Sequence, residues 1–279
     1  MGIVTEKWNI AYRARKGFRA VGEPYVRLRG TSGGWYADPF LFEHGGALWL
    51  FAEFFSYQTR RGSIAVFRYD DASGSFLDGR EIIAEPFHMS YPQVFREGDD
   101  VYMLPETEEA NALILYKAAS FPYEWKRERV LAENVKLVDT TLIPGGRAIA
   151  QRIGADGAEQ ATEILSYEDG AVTFTPWELR PLRQSRPGGF PIREDGNVLM
   201  TAQDCRDTYG GALEFYDLSD GKTAFVLSPE NTIIRGEKSA VLGIHTYNAC
   251  GALEVIDYKT NTVSLNRIAR RAASLIRGK

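Results

Sequence analysis

Apolar and polar residues alternate along this chain in short runs with the period of two expected of β-strands, and the runs come in pairs joined by Gly-rich or acidic turns. Five of these paired runs open on a small polar motif. They are WYADPFLFEHGGALWLFAE near Asp38, HMSYPQVFREGDDVYMLPET near Ser90, VDTTLIPGGRAIAQ near Asp139, RPGGFPIREDGNVLMTAQDC near Arg186 and GIHTYNACGALEVIDY near His245. The openings lie 52, 49, 47 and 59 residues apart, room each time for four short strands and their turns. Turn residues stand where hairpins need them, as at Glu43-His44-Gly45-Gly46, Glu97-Gly98-Asp99-Asp100 and Arg193-Glu194-Asp195-Gly196-Asn197. A repeat of this length built from four strands predicts an all-β, five-bladed β-propeller.

Composition agrees. The chain has 279 residues, 44% of them hydrophobic and 12% aromatic, enough to bury a large core. No linker or low-complexity tract divides the repeats, so residues 1–266 read as a single propeller domain, followed by a basic tail at 267–279. The net charge is -4, and the tail carries five basic residues and no acidic ones, which leaves -9 (-4 minus 5) on the rest. That balance speaks against a nucleic-acid partner, which demands a basic face. The segment LNRIARRAASLIRGK places Ile268, Ala272, Leu275 and Ile276 on one side of a helix, which either packs on the propeller or contacts a membrane surface or a protein. The N-terminus lacks the apolar stretch of a signal peptide and no run is long enough to span a membrane, so a cytoplasmic location is expected. Cys205 and Cys250 are too few for a disulfide framework or a zinc site and are expected in the core. No GxGxxG, P-loop, HExxH or EF-hand pattern occurs, so neither cofactor nor metal is expected, although a carboxylate-lined channel offers oxygen ligands to Ca²⁺.

The innermost strands of a propeller run beside its axis, so residues at the starts of the repeats become neighbours at one end of the channel. These are Asp38; His88, Ser90 and Tyr91; Asp139 with Thr140; Arg186; and His245 with Tyr247. A second set lies where the following strand ends: Glu53, the weakest candidate, then Glu106, and Gln203 with Asp204, near Tyr209. Carboxylates converging among aromatic rings suit glycosidic-bond chemistry, which needs one protonated acid and one ionised base or nucleophile. Asp38, Glu106 and Asp139 are the catalytic candidates. His88, Tyr91, Arg186, Gln203, Asp204, Tyr209, His245 and Tyr247 are the candidates for substrate binding. Duller roles stand beside these: Asp38 before Pro39 as a turn residue, Asp139 as a turn cap, Asp204 as an ion-pair partner of Arg206, and structural histidines.

WYADPFLFE with FAE, HMSYPQVF with YMLPET, and above all SRPGGF followed by AQDCRDTYGGAL resemble the N-terminal domain of the glucosamine inositolphosphorylceramide transferase family. The resemblance runs from about Trp35 to Asp257. No transferase module is expected after the fifth repeat, so the transferase activity of the fused proteins is not carried over. More distantly, the chain is similar to the five-bladed propellers of family 43 and family 32 glycoside hydrolases, which place an acid at the opening of each of the first three blades. On that likeness Asp38 in ADPF matches the base or nucleophile and Asp139 in VDTT the general acid, whereas Ser90 in SYP departs from the second acid. The expected function is cleavage or transfer of a glycosyl unit in the axial pocket. The alternatives are a non-catalytic module binding a glycan or glycolipid headgroup, and a protein-interaction propeller.

Overall fold

Each of the five repeats folds into a sheet, antiparallel apart from one short parallel pair at the edge of the fifth (Tyr25–Arg27 with Ile234–Arg235), and the sheets stand in a ring as the blades of a β-propeller. The computed structural model describes residues 4–168, 171–176, 186–194 and 196–263; the basic tail lies outside them. From the axis outward, blade 1 is built from Gly34–His44, Ala47–Ser56, Arg61–Asp70 and Arg80–Ile83. Blade 2 follows with Ser90–Glu97, Asp100–Glu106, Ala112–Ser120 and Glu124–Glu133. Blade 3 comprises Leu137–Ile143, Arg147–Ile153, Glu159–Glu168 and Ala171–Pro176, and blade 4 Ile192–Glu194, Asn197–Asp204, Ala212–Asp217 and Thr223–Leu227.

Blade 5 is completed from both ends of the chain. Its inner strands Tyr247–Cys250 and Leu253–Val263 come from the fifth repeat, whereas Val4–Ala14 and Tyr25–Arg27 come from the N-terminal segment. Val4–Ala14 pairs along its whole length, from Val4 against Val263 to Ala14 against Leu253, and this ladder closes the ring. Closure covers the blade faces that the two ends of an open row would expose and leaves only short blade edges. Among the described residues no helix is long and apolar enough to cross a membrane.

Both faces of each blade are covered by neighbours, which explains why strands such as ALWLFAEFFS read as nearly unbroken apolar runs. Phe51, Val66, Met103 and Tyr116 fill the space between blades 1 and 2. Leu104, Leu137 and Leu165 pack between blades 2 and 3, and Ile149, Met200 and Tyr216 between blades 3 and 4. Leu213, Phe215 and Ile256 join blades 4 and 5, while Tyr12, Leu50 and Phe67 join blades 5 and 1. Each fully buried large side chain in these layers contributes about 1.5–3 kcal/mol by area. The two cysteines depart from expectation in burial alone: both are only half-buried, Cys205 accepting a hydrogen bond from Gly210 N–H.

A shared irregularity positions the site. The inner strands of blades 1, 2 and 3 each carry a β-bulge, between Ala37 and Phe40, Ser90 and Gln93, and Val138 and Thr141. The residue at the bulge is left-handed in each: Asp38 (φ 49°), Tyr91 (φ 49°) and Asp139 (φ 51°). Bulges re-aim side chains, and Asp tolerates this backbone region better than most residues. The register overturns one sequence expectation, because the blade-2 counterpart of Asp38 and Asp139 is Tyr91, not Ser90. Across from the bulges, the second strands carry Glu53, Glu106 and Gln151, paired with Ala37, Ser90 and Val138. In blades 4 and 5 the matching places are held by Gln203, whose N–H donates to Arg186 O, and Asp257, whose N–H donates to Thr246 O.

Blade 4 enters the axis without a side chain. A Cβ on Gly188 would lie 2.5 Å from Leu213 and 2.7 Å from His245 O, and one on Gly189 2.0 Å from Tyr247 O. Gly189 also has φ +139°, so the RPGGF motif lets the inner strands of blades 4 and 5 approach each other.

Candidate functional site

The bulged ends of the inner strands surround a cavity of about 250 Å³ into which Asp38, Glu53, Glu106, Asp139, Arg186 and His245 project. Trp8, Trp35, Phe55 and Tyr209 wall it, with His88 and Ser90. Trp35 stacks on Phe55 at 4.7 Å, and the Arg186 guanidinium lies 5.3 Å from the centre of the Tyr209 ring. Flat apolar walls around a polar floor suit a sugar, which has an apolar face and a hydroxyl rim.

Asp38 is clasped by its neighbours. Its Oδ2 accepts a hydrogen bond from Tyr91 N–H at 3.1 Å and its Oδ1 one from the Thr246 hydroxyl at 3.1 Å. His245 Nε2 lies 3.6 Å from Oδ1. Asp257 supports this arrangement from below, accepting from Asp38 N–H, His245 N–H and Thr246 N–H and lying 2.6 Å from His245 Nδ1. Burial raises the Asp38 carboxyl, the charge on His245 pulls it back, and Asp257 and Asp139 add to the rise, leaving it at about 6.

Arg186 ties two acids together. Its Nε donates to Asp139 Oδ2 at 2.5 Å and its Nη2 to Glu106 Oε2 at 3.2 Å, while Asp139 N–H donates to the same Glu106 oxygen at 3.0 Å. Gln203 Nε2 holds Asp139 Oδ2 from beneath at 2.9 Å. Glu106 bonds through Oε2, and its Oε1 has no hydrogen-bond partner among the described residues. Burial, then the Asp139 charge, raises Glu106 to about 8 against the pull of Arg186.

Glu53, the weakest candidate from sequence, belongs to the site. It is 5% exposed and its Oε1 is buried without a hydrogen-bond partner. His88 Nε2 approaches that oxygen to 3.4 Å, within ion-pair distance but outside hydrogen-bond geometry. Burial, reinforced by the charges of Asp38 and Glu106, raises the Glu53 carboxyl well above its ordinary range. His88 accepts from Gly62 N–H at Nδ1, and burial lowers its pKa, so it sits at the rim as a neutral ring.

The remaining candidates lie elsewhere. Tyr91 points into the core, its hydroxyl bonded to Thr141 Oγ1 and Gly189 N–H. Tyr247 bonds Glu254 in the core between blades 4 and 5, a place set by the strand alternation. Asp204 pairs with Arg206 at the surface, its duller reading, and Gln203 reaches the site only through Asp139. His88 and His245 are not equivalent in register, since His88 precedes Ser90 by two residues and His245 precedes Thr246 by one. Sequence reasoning missed Asp257, Trp8, Trp35 and Phe55. Of these Asp257 had a usable signal, as the acid of the fifth repeat's second strand. Asp38, His245 and Asp257 are the trio of metal-ligand type among the described residues, their candidate atoms within 4.8 Å of one another. Within the trio the Asp257 carboxylate already accepts from three N–H groups and lies against His245 Nδ1, partners that suit a carboxylate rather than a cation.

Comparison with known proteins places this arrangement in context. Glucosamine inositolphosphorylceramide transferase 1 of Arabidopsis thaliana is 32% identical over 193 residues, 65% of this chain and 25% of that protein. Its namesake from Oryza sativa subsp. indica is 31% identical over 205 residues, 67% of this chain and 27% of that protein. The chain thus spans about a quarter of the length of these curated relatives. Among solved structures, an exo-β-1,3-galactanase from Phanerochaete chrysosporium superposes with a TM-score of 0.55 at 11% identity, over 89% of this chain and 64% of that one. The catalytic domain of a Coprinopsis cinerea GH62 α-L-arabinofuranosidase gives 0.52 at 12% identity, over 85% and 95%. At such identities the likeness is one of fold. Residues 25–224 match the family described as glucosamine inositolphosphorylceramide transferase 1, N-terminal, and the chain belongs to that family.

Proposed function

We propose that the propeller is a carbohydrate-active domain that cleaves or transfers a glycosyl unit in the axial cavity. The reading rests on one observation: the Asp38 and Glu106 carboxyls face one aromatic-walled cavity, the first held by Tyr91 N–H and the Thr246 hydroxyl and the second by Asp139 N–H and Arg186. Burial raises both, Asp38 to about 6 and Glu106 to about 8. At neutral pH Asp38 is ionised and serves as base or nucleophile, while Glu106 keeps its proton and donates it to the leaving oxygen through Oε1. Arg186 and Asp139 position Glu106, and the Glu53 carboxyl offers a hydrogen bond to a sugar hydroxyl. Enzymes named for galactan and arabinofuranoside substrates share the fold, which supports sugar as the ligand. Purified protein is incubated with a panel of aryl glycosides and oligosaccharides, and products are followed for wild type, Asp38→Asn and Glu106→Gln. Turnover by wild type that falls on the order of 10²–10⁴-fold in either variant supports the reading; turnover that survives both substitutions removes these residues from the mechanism.

A second reading, recognition of a glycan or glycolipid headgroup without turnover, is favoured by Tyr91. It occupies the bulge where blades 1 and 3 carry Asp and turns its side chain into the core. Saturable binding with no product in wild type and both variants would select this reading.

A further inference from the structure

We infer that His245 is a positioning residue which, clasped between Asp257 and Asp38 and stacked on Trp8, fixes both the orientation and the negative charge of Asp38. The inference deepens the proposed role of Asp38 and rests on it. The ring is 3% exposed and its Nδ1 lies 2.6 Å from Asp257 Oδ2, so Nδ1 carries a proton. Nε2, on the other side of the ring, lies 3.6 Å from Asp38 Oδ1, within ion-pair distance. In a neutral ring protonated at Nδ1, Nε2 would present a lone pair to a carboxylate. With both nitrogens protonated, the contact becomes attractive. The Trp8 ring lies parallel to the imidazole at 3.8 Å with an interplanar angle of 8°, a face on which a cation is favoured.

The surroundings of the ring weigh the same way. Asp257 comes from the second strand of blade 5, Asp38 and Asp139 from the inner strands of blades 1 and 3, and Tyr209 from the blade-4 loop, its ring perpendicular to the imidazole with the centres 5.4 Å apart. Two cations stand near: Arg186, which lines the same cavity and is held by Asp139 and Glu106, and Lys259, 5.8 Å from the Trp8 ring centre and held by Thr208 Oγ1 and Tyr209 O. Burial disfavours the charged ring, but Asp257, Asp38 and Asp139 outweigh it, and the pKa of His245 rises above its usual 6.5. The physical consequence is a fixed cation beneath Asp38. It keeps that carboxylate ionised in a cavity otherwise rich in acid, while Thr246 and Tyr91 N–H hold its two oxygens in place.

The test needs no substrate. The chain holds three histidines, His44, His88 and His245, and long-range ¹⁵N–¹H spectra of ¹⁵N-histidine-labelled protein resolve their ring nitrogens. Assignment comes from His44→Asn and His88→Asn, so it does not depend on a change at the buried ring. The expected result is a His245 ring with two protonated nitrogens at pH 7. Its titration midpoint should fall on the order of half to one pH unit in Asp38→Asn, where one of its flanking charges is gone. A singly protonated ring at pH 7, or a midpoint that Asp38→Asn leaves in place, overturns the inference. Loss of the proposed chemistry at Asp38 would show up separately, as turnover surviving Asp38→Asn while the ring remains charged.

Discussion

Glu106→Gln replaces a carboxyl by an amide of the same shape, leaving an oxygen for the donors Asp139 N–H and Arg186. In the wild type, burial first and the Asp139 charge second raise this carboxyl from 4.5 to about 8. A native state that raises an acid's pKa prefers the protonated form. The associated stability is complete below the unfolded value and is lost as pH climbs through the folded one. The window therefore runs from 4.5 to about 8. Between pH 5 and 8, a linkage of about 1.4 kcal/mol per unit sets an upper bound of about 3–4 kcal/mol. Relaxation and water entry around a buried charge reduce that to about 2 kcal/mol. In a domain of this size, 1 kcal/mol moves Tm by about 2–4 °C, so wild type should lose roughly 4–8 °C relative to the variant across this range. Differential scanning calorimetry of the pair from pH 5 to 8 reads this difference, because titrations of groups remote from Glu106 are common to both proteins and cancel. Parallel Tm curves, or a wild type that gains on the variant as pH rises, would refute the assignment of Glu106 as a buried acid that keeps its proton.

Two further outcomes test the frame beneath the site. Tyr91→Phe removes the hydroxyl that Gly189 N–H and Thr141 Oγ1 both contact, leaving a buried N–H unpaired; urea denaturation should show a loss of about 1–3 kcal/mol, and unchanged stability would count against this link between blades 2 and 4. Gly189→Ala forces a Cβ to within 2.0 Å of Tyr247 O at φ +139°, so a loss on the order of 3–5 kcal/mol or failure to fold is expected. A variant that melts within a few degrees of wild type would show that the inner strands of blades 4 and 5 can separate.

What could be read from the sequence, and what could not, follows from how local each signal is. Blade number and hairpin turns were legible because both are written within some fifty residues, as alternation and Gly-rich turns. The acids at the blade entrances were legible because propeller geometry brings equivalent positions of every repeat together. Register was not legible, since it depends on pairing between strands rather than on a residue's type. A bulge sets two residues on one strand against one on the other, so Tyr91, not Ser90, became the partner of Asp38. A trace of this did exist in the chain: Asp38 to Glu53 and Tyr91 to Glu106 are both 15 residues (53 minus 38, 106 minus 91), a spacing that aligns Tyr91 with Asp38 and promotes Glu53 to the rank of Glu106. Trp8 had no local signal. It reaches the cavity because the N-terminal strand pairs with Leu253–Val263 from the far end of the chain, and it then stacks on His245 from that same blade. The strand that closes the ring thus also builds a wall of the site and covers the imidazole beneath Asp38, so closure of the propeller and the charge arrangement in its cavity share one piece of backbone.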